Sequence, residues 1–200
     1  MLDRPPVNDG PVSTRRAASA ARRPPARGFS LLELMVTLAI GAILLGLALP
    51  SMSGLLGGSK TSATVNDLVF ALQSARSEAI KRAAPVVLCP SADPLDADAV
   101  CAPVSYADGW IVFVDDVDDV DGVRDADEEL VLQSEPRDAS FTLTTPGGTF
   151  ASRVLFTATG TSANPAGVPL SGTIRIVQSA GPETREVRVA ANGRVSSSTP

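Results

Sequence analysis

GFSLLELMVTLAIGAILLGLALP, residues 28–50, decides how the rest of this chain is read. From Phe29 to Leu49 it holds 21 residues and one charged side chain, Glu33. About 20 such residues cross the roughly 30 Å hydrocarbon core of a bilayer as a helix. A lone carboxylate in hydrocarbon must find a partner, become protonated or snorkel to the headgroups. Glu33 therefore needs a reason to sit five residues into the run. Pro50 marks its far end.

The flanks are unlike each other. Residues 1–28 carry six Arg against Asp3 and Asp9, a net +4, and are rich in proline and alanine. Such a segment buries too little apolar surface to fold and reads as a targeting leader. The remainder carries 11 Lys and Arg against 20 Asp and Glu, a net −9. A basic flank before the span places the leader in the cytoplasm and the acidic part outside. Ala48-Leu49-Pro50 is a poor secretory cleavage site because proline follows the bond, so the cleavable junction falls at Gly28–Phe29. The only two cysteines, Cys89 and Cys101, lie beyond the span. In an exported domain they read as a disulfide; in a cytoplasmic one they would be reduced thiols, which the charge asymmetry disfavours.

Downstream, the period changes twice. Gly54, Gly57 and Gly58 weaken helix locally, each by up to about 1 kcal/mol relative to alanine, which suggests a bend or melting. From Thr64 to Arg82 an apolar stripe returns at three- and four-residue steps through Val65, Leu68, Val69, Leu72, Ala75, Ala79 and Ile80. Thr64 followed by Asp67 offers a cap for a fresh start. After Ala84 short β-like runs follow, near 85–89, 110–114, 129–134, 140–145, 153–158, 172–178, 185–190 and 194–196. Pro146-Gly147-Gly148, Gly181-Pro182 and Asn192-Gly193 separate several of them as turns. The expected class is α+β: a long N-terminal helix packed on an antiparallel sheet head. The divisions are a leader (1–28), a transmembrane and assembly helix (29–50), an amphipathic helix (51–83) and a β-rich head (84–200).

RGFSLLELMVTLAIGAILLGLALP resembles the N-terminus of type IV pilin-like prepilins, through Gly28, Phe29, Glu33 and Pro50. The resemblance implies cleavage between Gly28 and Phe29 by a prepilin peptidase, N-methylation of Phe29, and filament assembly through Glu33. In that family the acid pairs with the methylated amine of a neighbouring subunit. ARSEAIKR (75–82), VVLCPS (86–91), Cys101, GWIVFVD (109–115), DGVRDADEELVL (121–132) and NGRV (192–195) are similar to the FimT/GspH branch. That branch holds minor pseudopilins of type II secretion and minor pilins of type IV pili. It implies a structural subunit of the inner membrane, cytoplasmic at its N-terminus, with a periplasmic head. The implied partners are other pilin or pseudopilin subunits and the prepilin peptidase/methylase.

The branch also includes DNA-uptake pilins with basic residues around a C-terminal Gly-Arg-x-Arg pattern. Here the positions read Gly193, Arg194, Val195 and Ser196, so the second basic residue is missing. Arg175, Arg185, Arg188 and Arg194 could still gather on one sheet face and contact DNA; otherwise they line a polar outer face. The acid-dense run 115–129 invites a calcium reading. With Gly122 as loop position six, Asp119, Asp121, Asp125 and Glu128 fall at three, five, nine and twelve, but position one is Val117. The alternative is a solvated acidic hairpin loop. No other cofactor is implied. Trp110, in an apolar run, reads as a core anchor. Enzyme chemistry finds little footing: without histidine, Ser-His-Asp and histidine–zinc sites are excluded, and no glycine-rich phosphate loop follows a strand.

Overall fold

The computed structural model describes residues 28–116, 121–125, 127–179 and 184–200, and for residues 47–57 the helical backbone alone. Among these residues one α-helix, α1 (Leu31–Arg82), precedes nine strands. Compactness divides the chain into two units, Met1–Ile43 and Leu44–Pro200.

In the first unit Ser30 starts α1, its Oγ accepting the Glu33 N–H at 3.1 Å. Ser-x-x-Glu is the spacing of a capping box, and an acid in the first turn suits the positive end of the helix dipole. Phe29, Leu31, Leu32, Leu34, Met35, Val36, Leu38, Ile40 and Ile43 are all exposed. Among the described residues no helix is long and apolar enough to cross a membrane. The apolar run continues to Leu49, however, and described side chains stop at Gly46.

α1 is assigned without interruption through Gly54, Gly57 and Gly58, where the sequence suggested melting. A deficit of up to about 1 kcal/mol per glycine is small when helix-forming leucines and lysine surround it. Thr64 does not cap a second helix; it lies buried inside α1.

In the second unit, one face of α1 buries Val65, Leu68, Ala71, Leu72, Ala75 and Ala79, close to the stripe expected from periodicity. Ile80 departs from it and is exposed. The helix ends on Ala83, at φ 52°, with the Ala84 N–H donating to the Ala79 carbonyl. This six-to-one bond is a Schellman closure, normally built on glycine.

The head contains two antiparallel sheets, where one was expected. The first comprises β1 (Val86–Pro90), β2 (Trp110–Val114), β3 (Leu130–Gln133), β5 (Val154–Phe156) and β6 (Ser162–Ala163) in the order β3-β2-β1-β5-β6. The second is formed by β4 (Phe141–Thr144), β7 (Gly172–Gln178), β8 (Thr184–Val189) and β9 (Val195–Ser198) in the order β4-β7-β8-β9. Eight strands fall within a few residues of the expected runs; β6, two residues long, was absent from them. A single core joins Leu68 and Leu72 of α1 to Leu88 and Val112 of the first sheet and Ile174 and Val187 of the second.

The two sheets differ in burial for a reason visible in their residues. β1 is buried along its whole length, and β2 along all but its last residue. Val87, Cys89, Ile111, Phe113 and Leu155 form a second cluster with Ala99 on the side away from α1. Strands covered on both faces read as continuous apolar runs, as VVLCP and WIVFV do. β7 alternates between buried and half-buried residues, as a strand with one solvated face should.

Candidate functional site

The processing junction lies in the first unit. Gly28, Phe29 and Ser30 precede the helix and are exposed, and Phe29 is 79% exposed. A bond in exposed backbone outside the helix is the form in which a peptidase can reach it. Glu33 is exposed one turn later, on the same helix that leaves its leucines uncovered. Among the described residues no cation pairs with it. The leader itself, residues 1–27, lies outside the described residues.

On the head, Cys89 and Cys101 are joined, with Cα atoms 5.5 Å apart. Cys89 sits in β1 facing the second cluster, and Cys101 packs against that cluster from the following loop. The disulfide thus fastens the segment after β1 over the outer face of the first sheet. The Ala102 N–H donates to Pro90 O, and Arg124 Nη1 donates to Ala99 O at 2.9 Å.

Of the four residues considered for calcium, Asp119 lies outside the described residues. Asp121 Oδ1 accepts the Val123 N–H, and both carboxylate oxygens of Glu128 accept backbone N–H groups, from Asp116 and Asp125. Asp125 takes part through its backbone, its N–H donating to Glu128 Oε2 and its carbonyl accepting the Glu128 N–H. Among the described residues no group of three or more potential ligands converges for a metal. The Asp121 and Glu128 carboxylates are instead occupied in shaping the loop.

Asp115 was not singled out by its sequence context, and it is the buried member of this run. Its side chain is fully buried just past the end of β2, and Oδ2 accepts the Gly122 N–H at 3.1 Å. Burial, followed by the charge of Glu128, pushes its carboxyl up to about 7. The signal in the sequence was position: Asp115 directly extends an apolar run.

The four arginines considered for DNA do not gather. Arg175 is register partner to Glu186 across β7 and β8, and their side chains form an ion pair at 2.8 Å. Strand alternation puts Arg188 on that same face, opposite Thr173. Arg185 is opposite buried Ile176, so alternation assigns it to the other face. Arg194 lies in the turn between β8 and β9. The expected cluster is thus reduced to two residues on one face, one of them neutralised by Glu186.

Arg76 of α1 joins two turns of the head. Nε donates to Gly160 O at 2.9 Å and Nη2 to Asn192 O at 3.1 Å. Gly193, at φ 74°, lets these turns meet, because a Cβ there would overlap the Gly160 carbonyl oxygen. Trp110 in β2 is fully buried as expected, and Arg137 stacks over it with Cζ 4.5 Å from the ring centroid.

Comparison with known proteins follows this division of the chain. Residues 23–49 match the model of the prokaryotic N-terminal methylation motif. Residues 64–193 match the model of the type II transport protein GspH. No curated protein matches the chain. The fold is similar to the crystal structure of the Pseudomonas aeruginosa (strain PAO1) type IV minor pilin FimU in space group P21. The TM-score is 0.50 and the identity 18%, covering 71% of this chain and 93% of that one. A second crystal form of FimU, in space group P65, aligns with a TM-score of 0.48 at 18% identity, over 70% of this chain and 96% of that one. With its family match covering the C-terminal part of α1, the disulfide loop and every strand but β9, the chain belongs to the GspH family of type II transport proteins.

Proposed function

We propose that this protein is a minor pseudopilin or minor pilin: a non-enzymatic subunit of a type II secretion pseudopilus or a type IV pilus. It is made as a membrane prepilin, cut between Gly28 and Phe29, methylated at Phe29 and assembled through its N-terminal helix. The inner membrane holds it before assembly, with the head on the periplasmic side. The observation that carries this reading is the methylation-motif match over residues 23–49, ending in a helix whose apolar side chains are exposed while the head has its own core. A helix apolar on all sides is stable only when lipid or other helices surround it. Burial among neighbours would also give the Glu33 carboxylate its role, because an unpaired charge there is costly and the amine of an adjacent Phe29 relieves it.

Mass spectrometry of the mature N-terminus, in cells with an active prepilin peptidase, tests the proposal. The expected product begins at a methylated Phe29. A membrane-bound chain still carrying residues 1–28 would refute it.

A further inference from the structure

Between α1 and the turn joining β8 to β9 lies an open groove of about 450 Å³. Arg76, Ser77 and Ile80 line it from the helix, and Arg194 and Val195 from the turn and β9. Its described walls hold two cations and no acid. That is unusual in a chain whose residues 29–200 carry 11 Lys and Arg against 20 Asp and Glu. Arg76 commits Nε and Nη2 to the carbonyls of Gly160 and Asn192, which fix its fork and leave its charge uncompensated. Arg194 is exposed, and among the described residues its side chain has no carboxylate partner. Ile80, one turn beyond Arg76, adds an apolar surface that is 52% exposed. The groove therefore suits a carboxylate-bearing segment with an apolar side chain beside its charges.

The chain itself carries such a segment. Asp121, Val123 and Asp125 are all exposed, Val123 by 41%, although the backbone around them is pinned. The Gly122 N–H donates to buried Asp115, and Arg153 Nη1 donates to the Asp121 carbonyl. Buried Arg124 donates to the carbonyls of Ala99 and Glu128. Residues 121–125 are thus a fixed knob, one apolar side chain flanked by two acids. Such pre-organisation lowers the entropy lost on contact. Through Ala99 the knob is tied to the side of the first sheet away from α1, whereas α1 itself forms one wall of the groove. The sheet separates the two within one head, so the knob meets a groove on another copy. Duplex DNA is the other polyanion that two arginines could hold. Its phosphates run on in a line and would meet the surrounding acids, whereas the two charges of the knob end where the two cations end.

We propose that the 121–125 knob of one copy seats in the Arg76–Arg194 groove of a second copy, with Val123 over Ile80 and the two aspartates against the two arginines. The two patches differ, so the contact is heterologous, the type that builds rings or open chains instead of a two-fold dimer. It rests on the head alone and not on the proposed processing.

Crosslinking between two differently tagged populations of the full chain in detergent tests this. One population carries Ile80→benzoylphenylalanine, and illumination is expected to join it to residues 121–125 of the other, as mapped by mass spectrometry. Arg194→Glu in the crosslinking chain, or Asp125→Arg in its partner, should each lower the yield by about tenfold. Combining Arg194→Glu in the first with Asp125→Arg in the second should restore it, because the charges are exchanged. Both side chains are exposed, so Tm and circular dichroism should stay those of the wild type. No adduct, an adduct elsewhere on the partner, or a yield indifferent to both reversals overturns the proposal; the last is the result expected if the N-terminal helices alone bring chains together. Failure of the combined variants to restore the adduct also overturns it. So does a low-salt gel shift of duplex DNA that Arg194→Glu abolishes while no chain-to-chain adduct forms. Loss of processing at Gly28–Phe29 would instead count against the proposed function alone.

Discussion

At the scale of single residues, Asp115 couples the acidic hairpin to pH. Its carboxyl is pushed up to about 7, above the ordinary carboxylate value it regains on unfolding. Between those values the folded head holds a proton that the unfolded chain has lost, so stability falls as pH rises through this window. Asp115→Asn keeps an oxygen for the Gly122 N–H and removes the titration. The variant is expected to be more stable than wild type at pH 8, by roughly 2–4 kcal/mol, with little difference at pH 4. Urea unfolding at the two pH values measures this, and equal differences at both would contradict it. Gly193 makes the opposite kind of demand. Its positive φ and the nearby Gly160 carbonyl leave no room for a side chain. Gly193→Ala should destabilise the head by more than about 2 kcal/mol, because strain and collision add, and the Arg76 bonds to both turns should loosen. A near-neutral midpoint shift would show that the turns can separate freely. Asn192-Gly193 was recognisable as a hairpin turn. Its contact with the turn at Gly160 was not, because nothing local specifies which two turns meet.

At the scale of elements, the end of α1 and the disulfide loop give separate expectations. Ala83 occupies a left-handed position that glycine adopts at no steric cost. Ala83→Gly should therefore stabilise the head, by about 0.5–1 kcal/mol, which a denaturant midpoint would resolve. Destabilisation would mean that the unfolded-state entropy of the new glycine outweighs the relieved strain. The Cys89–Cys101 bond closes a loop of sequence separation 12 over the outer face of the first sheet. Replacing both cysteines by alanine should cost about 2–4 kcal/mol. It should also expose the apolar face around Ile111 and Phe113 to a hydrophobic dye. The element types themselves were legible. Three-and-four spacing marked the buried face of α1, and two strands matched their expected limits, Trp110–Val114 and Gly172–Gln178. Ile80 escaped because a helical stripe says which way a residue faces. Whether the sheet extends far enough to cover it depends on distant chain.

At the scale of the whole molecule, a head with its own core and a helix with an exposed apolar surface separate stability from assembly. Glu33→Ala should leave the thermal unfolding of the head unchanged, because Glu33 lies outside its core. Incorporation into fibres, measured by shearing and immunoblotting, should drop by about tenfold or more if the carboxylate sets the register between subunits. A variant that assembles at the wild-type level would remove Glu33 from that role. The sequence by itself determined the helix-then-strands order and the apolar N-terminal run with its motif. All of these depend on periodicity, composition and nearest neighbours, which are local. Only the tertiary structure divided the strands into two sheets and separated Arg185 from Arg175 and Arg188. It alone buried Asp115 and set Arg137 on Trp110 beside a free sheet edge. Those arrangements depend on which distant segments meet, where burial and register outweigh any local preference.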